Sequence, residues 1–448
     1  MRIRLILAIW ACKIGISLSR LLGKKGTSMP GQLALKICPE VLSLLSKQVT
    51  KEIIVVCGTN GKTTTNNLIA SFLRAQGMQV VCNELGANMI WGVCCAFAEK
   101  ADILGRLKAD FACLEIDEAS AVKVFPHVKP NLMVITNLFR DQLDRYGEID
   151  TTVDLLRQAL ALSPETKLLL NGDDPLVAQF GEKTDRICYF MAVDEDTGAE
   201  VDDIKEGRFC VFCGEPLQYA YYHYSQLGKF HCNSCGYGRR QPDFRVFNVQ
   251  QSQGLSFVLE HNEKQEEFSV CYRGFYNIYN IALSYGATTL VLGKSFDYQQ
   301  VLANYKPQIG RMEEFIVGKP VILNLAKNPA GFNQAISTVL CDEREKDLLL
   351  AVNDYAGDGK DISWIWDVDF ERLHQGNIRN LIVTGIRADD LMLRLKHAGF
   401  SEDRQIKCSN LEEATQRLVS GEAAVCYALV NYTVVFSMQT ILKEMEGK

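Results

Sequence analysis

Gly58-Thr59-Asn60-Gly61-Lys62-Thr63-Thr64-Thr65 is the stretch that decides the fold of this chain. It follows an apolar, β-type run, Ile53 to Cys57, and precedes a helical pattern from Asn66 to Gln76. Strand, glycine loop, lysine, hydroxyl and helix is the order of a phosphate-binding loop. The glycines let backbone N–H groups turn toward phosphate oxygens, and the helix N-terminus adds partial positive charge. In this reading Gly58, Thr59, Asn60, Gly61 and Thr64 shape the nucleotide cradle, Lys62 reaches the β- and γ-phosphates, and Thr63 holds Mg2+. The spacing, G-x-x-G-K-T, is shorter than the general form and also occurs in ordinary turns. The flanking strand and helix favour nucleotide binding.

Outward from the loop, short β-rich runs alternate with helical patterns. The expected strands are Ile53–Cys57, Phe111–Ile116, Met133–Thr136, Lys167–Leu170, Val321–Leu325, Leu348–Val352 and Leu381–Thr384. That alternation predicts an α/β fold with parallel sheet and right-handed crossovers, in which ligands lie beyond the strand C-termini. A boundary is expected near Gly310: an ATP-binding domain over 51–310, then a Rossmann-like α/β domain over 311–448. A stretch rich in Cys, Tyr and Gly, 201–240, reads as an insertion in the first domain.

The 448 residues suffice for two or three domains, and 47% hydrophobic with 23% charged residues is a globular composition. A formal net charge of −6 argues against a dedicated nucleic-acid binder. Most of the sixteen cysteines stand singly in apolar runs, as buried hydrophobes do. Disulfides are not expected in a chain that handles ATP, which points to the reducing cytoplasm. Residues 1–50 form a helical segment. Leu5 to Leu22 is mostly apolar, with Arg2, Arg4, Arg20, Lys24 and Lys25 toward its ends. The preferred reading is a helix packed on the central domain. The second is a helix on an anionic bilayer, at the inner face of the cell membrane. A transmembrane span is third, weakened by Lys13 and the Ser and Gly breaks.

Within the insertion, Cys210-Val-Phe-Cys213 and Cys232-Asn-Ser-Cys235 are separated by 18 residues, and a glycine follows each pair. Two such knuckles bring four thiolates to one Zn2+ in a zinc ribbon. Four protein ligands leave no open position, so the metal is structural. The tyrosines between the knuckles suit either packing or contact with a partner.

Acids and amides stand at expected strand ends: Glu115-Ile-Asp117-Glu118, Asn137 to Tyr146, and Asn171-Gly-Asp173-Asp174-Pro. Each alone reads as a helix cap or a turn. Following strands of one sheet, they suggest a shared site. G-T-N-G-K-T-T-T, L-E-I-D-E, N-L-F-R-D-Q-L-D, N-G-D-D-P, Gly274-Phe-Tyr-Asn277-Ile-Tyr-Asn280 and Gly310-Arg311-Met-Glu, in this order, resemble the motifs of the Mur ligase superfamily from about residue 50 onward. The resemblance implies a Mur ligase-like central P-loop ATPase domain and ATP-driven amide formation through an acyl phosphate. It implies phosphate and Mg2+ at Lys62 and Thr63 and a metal ligand in Glu115. Adenine and ribose would meet Asn277 and Asn280, with Asn171 and Asp173 or Asp174 nearby, and Arg311 would reach the phosphates from a hinge. Asn83, Gly86 and Asn88 resemble a loop that contacts the muramyl substrate.

The departures narrow the family. The usual D-H-L-D reads Asp141-Gln142-Leu143-Asp144, and no lysine occurs between Pro130 and Thr166 to serve as the modified lysine of amino-acid-adding members. The ribbon, Asn328-Pro-Ala-Gly-Phe-Asn and Asp361-Ile-Ser-Trp364-Ile-Trp366-Asp367 resemble the branch that forms synthetase subunits of lipid II isoglutaminyl synthases. That resemblance implies amidation of the D-glutamate α-carboxyl of lipid II to D-isoglutamine, in a heterodimer with a GatD-type glutaminase that supplies ammonia. The alternative is an amino-acid-adding Mur or folylpolyglutamate-type ligase. The loop Asn353 to Asp361 reads either as a solvated turn or as the source of an aspartate that completes the partner's Cys-His-Asp triad. Asp358 is preferred there, with Asp354 and Asp361 behind it.

Overall fold

A computed structural model describes residues 2–22, 26–140, 149–198, 206–251, 254–271, 273–294, 297–305, 310–355 and 357–447. The D-Q-L-D stretch at 141–144 and residues 201–205 of the insertion lie outside them. The chain forms two compact units. The first holds most of residues 2–305; the second holds most of 310–447, together with Phe139, Arg140 and residues 271 and 273–275.

The first unit runs α1 (Arg2–Leu21), α2 (Met29–Ile37), α3 (Val41–Ser46), β1 (Val49–Cys57), α4 (Lys62–Ala75), β2 (Val80–Cys82), α5 (Ile90–Lys100), β3 (Ala109–Glu115), α6 (Glu118–Val124), β4 (Leu132–Ile135), α7 (Ile149–Ala161), β5 (Lys167–Asn171), α8 (Pro175–Ala178), β6 (Cys188–Val193), β7 (Gln218–Tyr224), β8 (Leu227–His231), β9 (Phe244–Gln251), β10 (Leu255–His261), β11 (Lys264–Val270), α9 (Tyr276–Leu292) and α10 (Tyr298–Asn304). Its nine-stranded sheet has the order β11-β10-β9-β6-β5-β4-β1-β3-β2. From β2 to β9 neighbours are parallel; β9, β10 and β11 are antiparallel.

Burial explains the division. Ile53 to Cys57 is buried without a break, as a strand covered on both faces must be. In β10, Leu255, Phe257 and Leu259 are buried while Ser256, Val258 and Glu260 are half-exposed, the period of a strand with one covered face. β1 lies between β3 and β4, so the sheet order reverses at its C-terminal end, where open α/β sheets bind ligands. The inner face of α1, including Leu5, Ala8, Ile9, Cys12 and Ile16, is buried in the core that also takes in α2 and α5.

The second unit runs β12 (Glu313–Val317), β13 (Lys319–Leu325), α11 (Pro329–Leu340), β14 (Lys346–Ala351), β15 (Ile378–Thr384), α12 (Ala388–His397), β16 (Gln405–Lys407), α13 (Leu411–Ser420), β17 (Val425–Val430) and α14 (Tyr432–Glu446). Its sheet order is β12-β13-β17-β14-β15-β16, parallel except for β12. Separate apolar cores, one around Phe332, Trp364 and Phe370 and one around Val434, Met438 and Leu442, contain residues of alternate faces of β14: Leu348 and Leu350 in the first, Leu349 and Ala351 in the second.

Candidate functional site

α4 begins at Lys62, and the two loop glycines take the left-handed conformations that their positions require: Gly58 has φ 123° and Gly61 φ 83°. The neighbouring strand end braces the loop. Asn137 Oδ1 accepts from Asn60 N at 2.9 Å, its Nδ2 donates to Asn60 O at 3.0 Å, and the hydroxyl of Thr136 donates to Asn60 O at 2.7 Å. Thr59 N donates to Asn137 O at 2.8 Å. Lys62 is buried. Its Nζ donates to Thr59 O and stands 3.3 Å from Glu118 Oε1, an oxygen that also accepts from Gly58 N at 2.7 Å. Burial raises the Glu118 acid, and the Lys62 ammonium opposes that shift. The part Glu118 plays in holding Lys62 was not assigned from the sequence; its place three residues after Glu115 in the same strand-end motif is the signal that was available.

On the other side of the loop stands a second carboxylate. Glu115 closes β3 and is buried. Asn88 Nδ2 donates to its Oε1 at 2.9 Å, while its Oε2 is buried with no hydrogen-bond partner. Asn83 fixes the strand end, accepting from Glu115 N at 2.9 Å and donating to Glu115 O at 2.7 Å. A Cβ placed on Gly86 would lie 3.4 Å from Thr63 Oγ1 and 3.5 Å from Glu115 Oε2, so these two oxygens border the same small space. A buried anionic oxygen without a donor, next to a hydroxyl at a helix N-terminus, suits a hard cation.

Asn277 and Asn280 come to the loop from α9. Asn280 Nδ2 donates to Asn277 Oδ1 at 3.2 Å, Thr65 Oγ1 donates to Asn280 Oδ1 at 3.4 Å, and a Cβ on Gly61 would meet that same oxygen at 2.2 Å. Only glycine fits at this crossing. Thr64 is half-buried in the first turn of α4. Arg311 belongs to the second unit, immediately before β12.

Asn171, Asp173 and Asp174 are fully buried, and their polar atoms are engaged inside the unit. Asn171 Nδ2 donates to Thr136 O at 2.9 Å. Asp174 caps α8, accepting from Leu176 N at 2.9 Å and from Leu138 N at 2.8 Å, and burial lifts its carboxyl to about 7. Asp173 accepts from Val193 N and from the Tyr279 hydroxyl, each at 2.8 Å, and from Arg239 Nη1 at 3.0 Å.

Arg239 follows the second cysteine knuckle, so Asp173 ties the insertion to the sheet. Gly228 N donates to Asp173 O at 2.9 Å, and Gln226 Nε2 donates to Leu138 O at 2.8 Å. Cys210, Cys213, Cys232 and Cys235 place their sulfurs within 4.8 Å of one another, a set able to hold a metal ion. Gly214 and Gly236, with φ 78° and 77°, close the two knuckles by donating to Cys210 O and Cys232 O. The hairpin tyrosines pack: Tyr219 stacks on Tyr222 at 4.2 Å, and the buried Tyr224 meets Tyr279 edge-on.

In the second unit, the loop after β14 holds the three aspartates. Asp354 Oδ2 accepts from Arg387 Nη2 at 2.7 Å. Asp358 is buried; Thr433 N donates to its Oδ1 at 2.8 Å and the Thr433 hydroxyl donates to its Oδ2. Asp361 Oδ1 accepts from Ser363 N at 2.8 Å. Trp364 is buried against Phe332, whereas Trp366 is exposed beside Arg394 and His397.

Two family models match this chain: the Mur ligase middle domain over residues 56–212, and the MurT ligase C-terminal region over residues 325–435. The MurT subunit of the glutamine-hydrolysing lipid II isoglutaminyl synthase of Staphylococcus aureus (strain N315) is 40% identical over 396 residues, 87% of each chain. The MurT subunit from Streptococcus pneumoniae (strain ATCC BAA-255 / R6) is 34% identical over 431 residues, 93% of this chain and 92% of that one. In fold, the chain is similar to a pseudomurein peptide ligase type C from Methanothermus fervidus, with a TM-score of 0.69 and 23% identity over 89% of this chain and 79% of the other.

Proposed function

The chain belongs to the MurT family, and from that premise we propose that it amidates the α-carboxyl of D-glutamate in the lipid II stem peptide to D-isoglutamine, driven by ATP. It is a ligase of peptidoglycan synthesis. The substrate carboxylate attacks the γ-phosphorus of ATP, the bond to the bridging oxygen breaks, and ADP leaves. Ammonia then attacks the acyl carbon, inorganic phosphate departs, and loss of a proton leaves the amide. The protein's task is to position the reactants and balance their charge.

The observation that carries this reading is the unpartnered Glu115 Oε2 beside Thr63 Oγ1, one residue from Lys62. Thr63 and Glu115 would hold Mg2+, which supplies positive charge against the phosphate oxygens. Lys62 exchanges its contact with Glu118 for the phosphates when ATP arrives. Asn277 and Asn280 face the nucleotide, and the family resemblance alone assigns Arg311 to the phosphates. Asn83 and Asn88 hold Glu115 and so border the substrate side. Asn171, Asp173 and Asp174 support the site from behind, since their polar atoms are bound internally.

The four cysteines would hold structural Zn2+, a closed thiolate set with no position for substrate. Removing it with a chelator should melt the ribbon and lower the temperature of thermal unfolding, because Arg239 would no longer be held over the buried Asp173. An unchanged melting curve after verified metal loss would refute the structural role.

Ammonia would come from a GatD-type glutaminase in a heterodimer, with one of Asp354, Asp358 and Asp361 orienting the partner's histidine. Ammonia in bulk water is mostly protonated at neutral pH, and the protonated form cannot attack, which gives a reason for delivery from an adjoining subunit. Mass spectrometry of lipid II after incubation with ATP and glutamine, with and without the glutaminase, tests the whole scheme. The amide should form on the second stem residue only with the partner, or with added ammonium. Amidation from glutamine by the purified chain alone, or addition of an amino acid, would sink it.

A further inference from the structure

The inner face of α1 is buried, yet its outer face is apolar too. Ile3, Leu7, Trp10, Ile14, Leu18 and Leu21 recur every three or four residues and are between 48% and 83% exposed. One face of a helix therefore joins the core while the opposite face offers a continuous apolar stripe to the surroundings. The stripe extends beyond the helix. The Trp10 indole N–H donates to Ile103 O at 2.8 Å, which sets the exposed Ile103 and Leu104 beside it. Met29 and Leu33 on α2 are exposed as well.

The charge around the stripe is mostly basic, although Glu99 pairs with Arg20 at 2.7 Å and Asp102 adjoins Ile103. The first fifty residues carry eight Lys and Arg against one acid, Glu40, in a chain whose net charge is −6. Arg2 and Arg4 stand at the start of α1 and Arg20 at its end, with Lys24 and Lys25 next in sequence; α1 itself contains no acid. Arg106 and Lys108 are exposed just beyond Leu104. Among the described residues no helix is long and apolar enough to cross a membrane.

The geometry points to α1 as a peripheral membrane anchor: its outer face, with Ile103 and Leu104, lies in the headgroup boundary of an anionic bilayer while its inner face stays packed on the protein. A helix lying in the interface gains from apolar area buried among the acyl chains and from basic residues over anionic headgroups. A second protein chain could cover the apolar stripe, but it would not explain the excess of basic over acidic residues in the first fifty of a chain whose net charge is −6. Docking here deepens the proposed reaction, because it would bring the chain to a lipid-linked substrate. It does not depend on that reaction, and vesicles without substrate test it alone.

Flotation of the full chain with vesicles should show binding to phosphatidylglycerol–phosphatidylcholine mixtures and little to phosphatidylcholine alone. Because screening shortens electrostatic reach to under ~8 Å above physiological salt, binding should weaken as salt rises. The triple change Leu7→Glu, Trp10→Glu and Ile14→Glu should reduce vesicle binding by at least about tenfold. In the unaltered chain, brominated lipid should quench a tryptophan signal that is absent from Trp10→Phe, a reading that does not require the triple variant to fold. Binding that ignores lipid charge, binding undiminished in a folded triple variant, absence of Trp10 quenching, or a dimer in solution that hides this face would each overturn the inference. Amidation tested separately on detergent-dispersed lipid II keeps a failure here distinct from a failure of the proposed reaction.

Discussion

After β1 the chain folds glycines into a cradle and pairs Lys62 with Glu118; after β14 it sets out three aspartates and pairs Asp354 with Arg387 and Asp358 with Thr433. Both loops leave an interior strand of a largely parallel sheet. The first gathers a lysine and glycine backbone, and its own acid, Glu118, stands 3.3 Å from the cation. The second gathers acids, and internal donors hold each of them in place. The same topological position therefore gathers opposite charges. What distinguishes them is which charged side chain the neighbouring strand or helix sends across.

The sharpest way to break this comparison is Lys62→Ala. Loss of the phosphate contact should lower amidation by about 10²- to 10³-fold with either ammonia or glutamine as the nitrogen source. The variant should also be less stable, because Glu118 is left buried without its partner. Steady-state amidation and a urea melt check the two parts; full activity would remove the cradle from the mechanism.

Asp354→Asn, Asp358→Asn and Asp361→Asn probe the second loop. The one that orients the partner's histidine should cut glutamine-driven amidation by roughly 10²-fold or more while leaving ammonia-driven amidation intact, since it acts on the partner's triad. Equal loss with both nitrogen sources for all three would return the loop to a structural role.

The smallest effect concerns the support behind the first loop. Burial raises the Asp174 acid to about 7, so its folded value lies above the usual carboxylate range. A raised acid favours folding at low pH. That contribution is complete below about pH 4 and is lost as pH climbs through about 7. The change across the window is on the order of 4 kcal/mol at most, each tenfold change in proton affinity being about 1.4 kcal/mol. Asp174→Asn should flatten this part of the stability–pH curve, even though the amide gives up one of two backbone bonds. A curve as steep as the parent's would assign the slope elsewhere.

The cradle was legible because its chemistry is local: glycine, lysine and hydroxyl are fixed by their spacing to one strand and one helix. The cysteine knuckles were legible for the same reason. The seven expected strands all lie within or overlap parallel strands of the two sheets. The β9–β11 meander was not anticipated, since its alternating runs are short and carry many polar and charged residues. Asn171-Gly-Asp173-Asp174-Pro could not be resolved either. A strand-end acid looks alike whether it caps a helix, binds a ribose or waits for Arg239, which comes 66 residues later. For α1, hydropathy on all sides of a helix left packing and surface contact as rivals; the structure buries one face and leaves the opposite apolar face exposed.

Neighbouring residues on α9 look in two directions. Tyr279 grips the acid that anchors the cysteine insertion, and Asn280 presses on the glycine at the mouth of the cradle. A slide of this helix would be felt in both places at once. The insertion is thus no detachable ornament: a trimmed chain lacking it would have to re-seat the helix that lines the nucleotide's berth, and a search for a minimal working version should begin elsewhere.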